Sequence, residues 1–173
     1  ANLDNFYRKD GVNYRSMHWW VSKAREAGDW TLDRVSIGLF RGVDEDEWSI
    51  NTSRIMGVDG TVSESLTNGE MVGREQVDEI FKFMKKYIPG FENSKLLQSG
   101  STLGIRETRH FKGLYTLTEQ DILEARVFDD YIVRDAYFNF DVHNLTGAGL
   151  DKTGVQKNFS QKKGYTIPYR CLL

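Results

Sequence analysis

Apolar positions along the chain change period in a way that marks its elements. Ser16 to Ala27 carries a helical spacing that stops at Gly28, a residue suited to a left-handed cap. Val35, Ile37 and Leu39 then alternate with Ser36, Gly38 and Phe40, and Trp48, Ile50 and Thr52 alternate in the same way, so two strands are predicted. Between them lies Gly42-Val43-Asp44-Glu45-Asp46-Glu47, which predicts a hairpin with an acidic turn. The turn lacks the ligand spacing and glycine of a calcium loop and reads as a solvated connection. A long amphipathic helix is predicted from Thr67, where Thr67 and Glu70 have the spacing of a capping box. Val77, Ile80, Phe81, Met84, Tyr87 and Ile88 form its apolar stripe, which reads as core. Glu75, Asp78 and Glu79 precede Lys82, Lys85 and Lys86, the order favoured by the helix dipole, and Pro89-Gly90 ends the run.

Downstream, the segment from Gly104 to Asp121 predicts a strand, a glycine turn, a short strand and a helix start capped by Thr118, with that short helix reaching about Arg126. A further strand follows from Tyr131 to Val142. In it Phe138, Phe140 and Val142 face one side, and Tyr137, Asn139, Asp141 and His143 the other. Asn144 to Lys163 reads as a surface loop. The elements together predict one α+β domain over residues 1–173, with a mixed or antiparallel sheet, one long amphipathic helix and short helices.

Composition narrows the classes of function. A chain of 173 residues, 13% of them aromatic, can bury a core of its own. Its net charge of −2 creates no field that draws nucleic acid or an anionic membrane, and no basic stripe interleaved with aromatics appears. No apolar run approaches the length of a membrane span. Cys171 is the single cysteine, which excludes an internal disulfide and fits a reducing compartment. His18, His110 and His143 are scattered without ligand spacing, so no metal site is expected, and His18 is expected to pack beside Trp19-Trp20. Gly147-Ala148-Gly149 falls short of a dinucleotide fingerprint, because Lys152 stands where the third glycine belongs.

The candidate chemistry lies in two places. Arg106 and Arg109 offer planar donor forks that suit a carboxylate, a phosphate or the anionic edge of a reduced flavin. On a regular strand they would face opposite sides, one reaching a ligand and the other pairing with Glu107 or a neighbouring acid. Asp141 and His143, two apart, have the spacing for a carboxylate to fix an imidazole tautomer, the equipment of a general base. A rival reading is a non-catalytic carbohydrate-binding module that stacks sugar rings on exposed Trp19, Trp20, Trp30 or Trp48.

Several stretches, taken in order, resemble the FAD-dependent oxidoreductase family. They are Asn51-Thr52-Ser53-Arg54 with Gly57-Val58-Asp59-Gly60-Thr61, then Leu66-Thr67 with Gly73-Arg74, then Ile88 to Asn93. The run Gly104-Ile105-Arg106-Glu107-Thr108-Arg109 with Gly113, Tyr115 and Leu117-Thr118-Glu119-Gln120-Asp121 follows. Phe128-Asp129-Asp130, Asp141-Val142-His143 and Ile167 to Leu173 complete the series. The resemblance implies the substrate domain of a two-domain flavoprotein that transfers hydride to or from FAD, excised from the segments that build the FAD domain. The apolar ending after Pro168 reads as a cut consistent with this. It implies a small-molecule substrate and, as partner, the FAD-binding domain of the same polypeptide. It also implies that Arg106 and Arg109 lie near the flavin–substrate interface, that His143 oriented by Asp141 is the acid/base, and that Tyr169 and Arg170 line the junction with the cofactor domain.

Overall fold

The computed structural model describes residues 17–106, 108–138 and 163–173. These combine helices with two small antiparallel sheets, an α+β fold. They fall into two compact units, the first built from residues up to Thr108 and the second from Arg109 onward.

The first unit contains α1 (His18–Glu26), β1 (Gly38–Arg41), β2 (Trp48–Asn51) and α2 (Ser63–Tyr87). α1 ends as its sequence predicts, with Gly28 at φ 78° and its N–H bonded to Arg25 O at 3.1 Å. β1 and β2 pair in the expected hairpin, from Gly38 opposite Asn51 to Arg41 opposite Trp48, and Asp44 to Glu47 are exposed in the turn. The core forms where Val21 and Ala24 of α1 meet Ile80, Phe83 and Met84 of α2, with Trp30, Ile37, Ile88 and Phe91 around them. The Trp30 and Phe83 rings meet edge-on at 4.8 Å, and Phe83 stacks on Tyr87 at 5.4 Å. Burial of each such large apolar side chain stabilises the unit by about 1.5–3 kcal/mol.

Two expectations for α2 are corrected. The helix begins at Ser63, one turn before Thr67, and Thr67 Oγ1 donates to the Ser63 carbonyl at 3.0 Å from inside it. The Thr67 and Glu70 pair therefore does not cap the helix. The apolar stripe also includes Phe83, which is 1% exposed, whereas Phe81 is only half-buried under Lys85.

The second unit contains α3 (Glu119–Leu123), β3 (Tyr131–Ala136), β4 (Tyr165–Pro168) and a 3₁₀ turn (Tyr169–Cys171). Thr118 caps α3 as expected, in a reciprocal box with Asp121. β3 and β4 pair antiparallel with two register shifts, the second near Asp135, whose φ is 53°. There Gly164 lies against the backbone of Asp135, where an added Cβ would come within 2.5 Å of the Asp135 carbonyl carbon. The remainder of the predicted strand to Val142 and most of the loop to Lys163 fall outside the described residues.

The described residues between Gly104 and Lys112 form no strand, contrary to expectation. Ile105 and Thr108, three positions apart, both lie against Gly60: a Cβ there would be 2.8 Å from Thr108 Cγ2 and 3.0 Å from Ile105 Cγ2. On a regular strand those two side chains would face opposite sides. The segment is held instead from α2. Glu70 accepts the N–H of Leu103, and Arg74 donates to Ser99 Oγ at 2.5 Å and to the Ser101 carbonyl at 3.1 Å. Gly69 opens the helix surface to Leu103, whose Cδ1 lies 2.6 Å from where a Gly69 Cβ would stand.

Candidate functional site

In the second unit a polar and aromatic cluster is assembled from α3, the turns around it and the last residues of the chain. Its centre is Asp121, 2% exposed. The capping pattern turns the Asp121 carboxylate back over the start of α3. There it accepts from Thr118 N at 2.9 Å, Thr118 Oγ1 at 2.7 Å, Tyr115 Oη at 2.7 Å and Arg126 Nη1 at 2.9 Å. Burial pushes the Asp121 carboxyl up, but the bonds from Tyr115, Thr118 and Arg126 outweigh it and hold the group well below the ordinary carboxylate range. The same bond to Asp121, aided by desolvation, raises the Tyr115 phenol, and Asp121 likewise raises Arg126.

These groups are committed to one another. Asp121 is an ionised acceptor with no proton to give at neutral pH, and Tyr115 keeps its own proton, donating it in the hydrogen bond to Asp121. The cluster therefore positions its surroundings rather than exchanging protons. Around it, Phe128 meets the Tyr115 ring edge-on at 5.3 Å and lies 5.1 Å from the guanidinium carbons of both Arg126 and Arg170.

Arg170, an expected site residue, is fixed by this cluster. Its Nη1 donates to Asp130 Oδ1 at 2.6 Å, its N–H to Asp130 Oδ2 at 3.3 Å, and its carbonyl accepts from Tyr115 N at 3.1 Å. The guanidinium also stands 5.0 Å over the Tyr115 ring and is about 40% exposed. Tyr169 is held through its backbone, donating to the Asp130 carbonyl at 2.7 Å, while its ring is exposed. The chain's last residues are tied down too, since Leu114 N donates to Leu173 O at 2.8 Å. Gly113 permits this closeness: a Cβ there would stand 2.5 Å from the Cys171 carbonyl oxygen.

The remaining expected residues fall elsewhere. Arg106 is exposed in the first unit and Arg109 is exposed in the second, where it makes no ion pair or hydrogen bond among the described residues. Asp141 and His143 lie outside the described residues. His18 is exposed rather than packed, because its place at the first turn of α1 points away from the face carrying Val21 and Ala24. Of the tryptophans offered for sugar stacking, Trp30 is 2% exposed, Trp20 and Trp48 pack against the core, and Trp19 is 39% exposed with its ring edge-on to Trp20 at 5.6 Å. Tyr115, Asp121 and Asp130 stand in the stretches that carry the family resemblance, but neither they nor Arg126 is expected from the sequence as a site residue. The Thr-x-x-Asp spacing from Thr118 is the local signal for Asp121.

No group of three His, Cys, Asp or Glu side chains able to hold a metal occurs among the described residues. No helix among them is long and apolar enough to cross a membrane.

The sequence profile of the FAD dependent oxidoreductase family matches residues 5–173. The chain belongs to that family. No curated protein and no solved structure matches it.

The pyrophosphate of FAD needs free backbone N–H groups at a glycine turn opening a helix. Before α2 the Asp59 carboxylate accepts from Thr61 N at 2.8 Å and Thr61 Oγ1 at 2.7 Å, and the helix itself opens at Val62 with Glu64 in its first turn. At α3 the N–H groups are taken by Thr118 and Asp121. Negative charge beside the start of α2 and of α3 disfavours a phosphate at either place, so neither of these helix starts fits a cradle for the FAD pyrophosphate.

Proposed function

We propose that this chain supplies the substrate side of a flavin oxidoreductase, acting as a substrate-binding region whose dinucleotide cradle is built by other segments of the same polypeptide. The observation that carries this reading is a family match over nearly the whole chain, while the starts of α2 and α3 among the described residues carry acids where a pyrophosphate would need free N–H groups. The reaction class is hydride transfer between a small-molecule substrate and flavin. Of Arg106 and Arg109, both exposed, one stabilises negative charge developing on the flavin or substrate. His143, oriented by Asp141, moves the accompanying proton. Tyr169 and Arg170 stand at the junction with the FAD-binding domain. In support, Leu114, Leu172 and Leu173 are exposed beside them, an apolar surface suited to cover by protein.

The test compares the protein from the intact gene with the 173-residue chain. A flavin spectrum in the former and none in the latter is the expected result, and a flavin-loaded 173-residue chain would overturn the division of labour. In the flavin-loaded protein, Arg106→Ala or Arg109→Ala should slow flavin reduction by roughly 100-fold, and so should His143→Ala. Unaltered reduction rates in all three would remove the site assignment.

A further inference from the structure

Glu75, Asp78, Glu79, Lys82, Phe83 and Lys86 recur at three- and four-residue steps along α2, so they stand on one face of the helix. That face looks onto residues 28–31, the turn that follows α1, and the two enclose an open groove of about 320 Å³ within the first unit. The volume falls at the lower end of the range that small-molecule sites occupy. Both walls are clamped. Glu79 accepts from Thr31 N at 2.6 Å, from Thr31 Oγ1 at 2.7 Å and from Leu32 N at 3.2 Å. Asp29 Oδ2 accepts from Lys86 Nζ and from Tyr87 Oη, each at 2.5 Å. Gly28 supplies the bend at φ 78°, and no atom lies within 4 Å of where its Cβ would stand, so that wall is open backbone. A groove held in this way exists before a ligand arrives, which removes part of the ordering cost of binding.

The floor of the groove is apolar and its rim is polar. Phe83, 1% exposed, and Tyr87 stack at 5.4 Å and line it from below. On the rim Lys82 pairs with Asp78 at 2.6 Å and Lys86 with Asp29 at 2.5 Å. Each pair uses one carboxylate oxygen, so Asp29 Oδ1 and Asp78 Oδ1 are open acceptors, while each ammonium has N–H groups to spare. Glu75 adds an exposed carboxylate with no partner among the described residues.

Charge sorts the ligands that such a groove can take. Its acids outnumber its two lysines, which repels a carboxylate or a phosphate. Lys82 and Lys86, one helical turn apart, oppose a ligand cation, and no metal-holding group occurs among the described residues. A neutral ligand meets neither obstacle. Hydroxyl groups both donate and accept, so they answer the open carboxylate oxygens and the ammonium groups together. A pyranose ring carries such hydroxyls on its edge and apolar C–H groups on its faces.

We propose that the groove between α2 and residues 28–31 binds a neutral saccharide ring, its C–H face over Phe83 and Tyr87 and its hydroxyls on the Asp78–Lys82 and Asp29–Lys86 pairs. The site uses none of the four tryptophans and needs no flavin, so its failure and that of the flavin reading are distinguishable.

The experiment is an amide NMR titration of the 173-residue chain with the methyl α-pyranosides of glucose, galactose, mannose and xylose, which cannot glycate lysine. With at least one of them, the amides of Gly28, Asp29, Thr31 and Lys82 should shift saturably with a dissociation constant of about 1 mM, while those of α3 stay in place. Lys82→Ala and Asp78→Ala remove one exposed pair that contributes little to folding, and each should weaken binding by roughly tenfold. Should either variant fail to fold, Glu75→Ala carries the test, because its side chain holds no other described residue. No saturable shift with any of these glycosides, equal shifts across α3, or unaltered binding in the folded variants would overturn the proposal. Saturable shifts with ethanolammonium chloride and none with the glycosides would overturn it too, by showing a cation site.

Discussion

The Asp121 carboxylate, buried at the start of α3, accepts the Tyr115 hydroxyl at 2.7 Å while the Arg126 guanidinium holds its other oxygen at 2.9 Å. One side chain thus joins the helix cap, a turn tyrosine and a cation that lies over Phe128. Such a carboxylate is an ionised acceptor by construction. Its stabilising effect depends on its charge.

Asp121→Asn should therefore destabilise the second unit by about 2–3 kcal/mol at neutral pH, since it trades a charged acceptor for an amide with one carbonyl oxygen. The dependence on pH follows from the depressed folded-state pKa of Asp121. A carboxyl depressed on folding contributes its full stability above its unfolded value of about 4 and loses it as pH falls toward the folded value. The gap between wild-type and Asp121→Asn urea midpoints should thus be largest near pH 7 and shrink on acidification below about pH 4. A gap that stays constant down to pH 2 would show that the charge is not the source of the stability.

Gly113→Ala places a methyl group against backbone that cannot rotate away, the Cys171 carbonyl oxygen at 2.5 Å and its carbon at 2.8 Å. Either the final turn shifts or the strand of hydrogen bonds from Leu114 to Leu173 and from Tyr115 to Arg170 opens. The expected cost is about 1–3 kcal/mol, localised to the second unit. Amide exchange separates the two units: Tyr115 N–H should exchange faster in the variant, while the amides of α2 should not change. Equal acceleration in both units would mean that the residue acts on the whole chain.

What the sequence made legible divides along local and non-local lines. α1 with its Gly28 cap, the 38–51 hairpin and the Thr118 cap are written within a few residues, and each forms as its pattern predicts. The misread places are those where a side chain is claimed by a distant partner. Glu70 fits a local capping box by spacing, yet the N–H of Leu103, thirty-three residues away, takes it. Gly104 to Lys112 has strand-like composition, but no neighbouring strand pairs with its described residues, and the anchors from α2 shape it instead. For the same reason the Arg106 and Arg109 side chains are not ordered by strand alternation. Trp30 shows the limit from the other side: composition cannot tell a stacking platform from a core ring, and Phe83 settles it.

The reassignment of Thr67 and Glu70 makes opposing forecasts for two neighbouring residues of α2. As an N-cap, Thr67 would lose about 1 kcal/mol on mutation to alanine. As an exposed interior residue bonded to the Ser63 carbonyl, it should stay within about 0.5 kcal/mol of wild type. Glu70→Ala should behave differently, leaving the Leu103 N–H without its acceptor at a local cost of about 1–3 kcal/mol. Hydrogen exchange at Leu103 should accelerate by roughly tenfold for every 1.4 kcal/mol lost, and Glu70→Gln, which keeps a carbonyl acceptor, should restore much of the protection. Because Leu103 leads directly into Ile105 and Thr108 at Gly60, the same loosening should reach Arg106. In flavin-loaded protein, Glu70→Ala should then slow flavin reduction although Glu70 touches no reactant. Unchanged protection at Leu103 would remove the link between α2 and this segment, and with it any path from Glu70 to the chemistry.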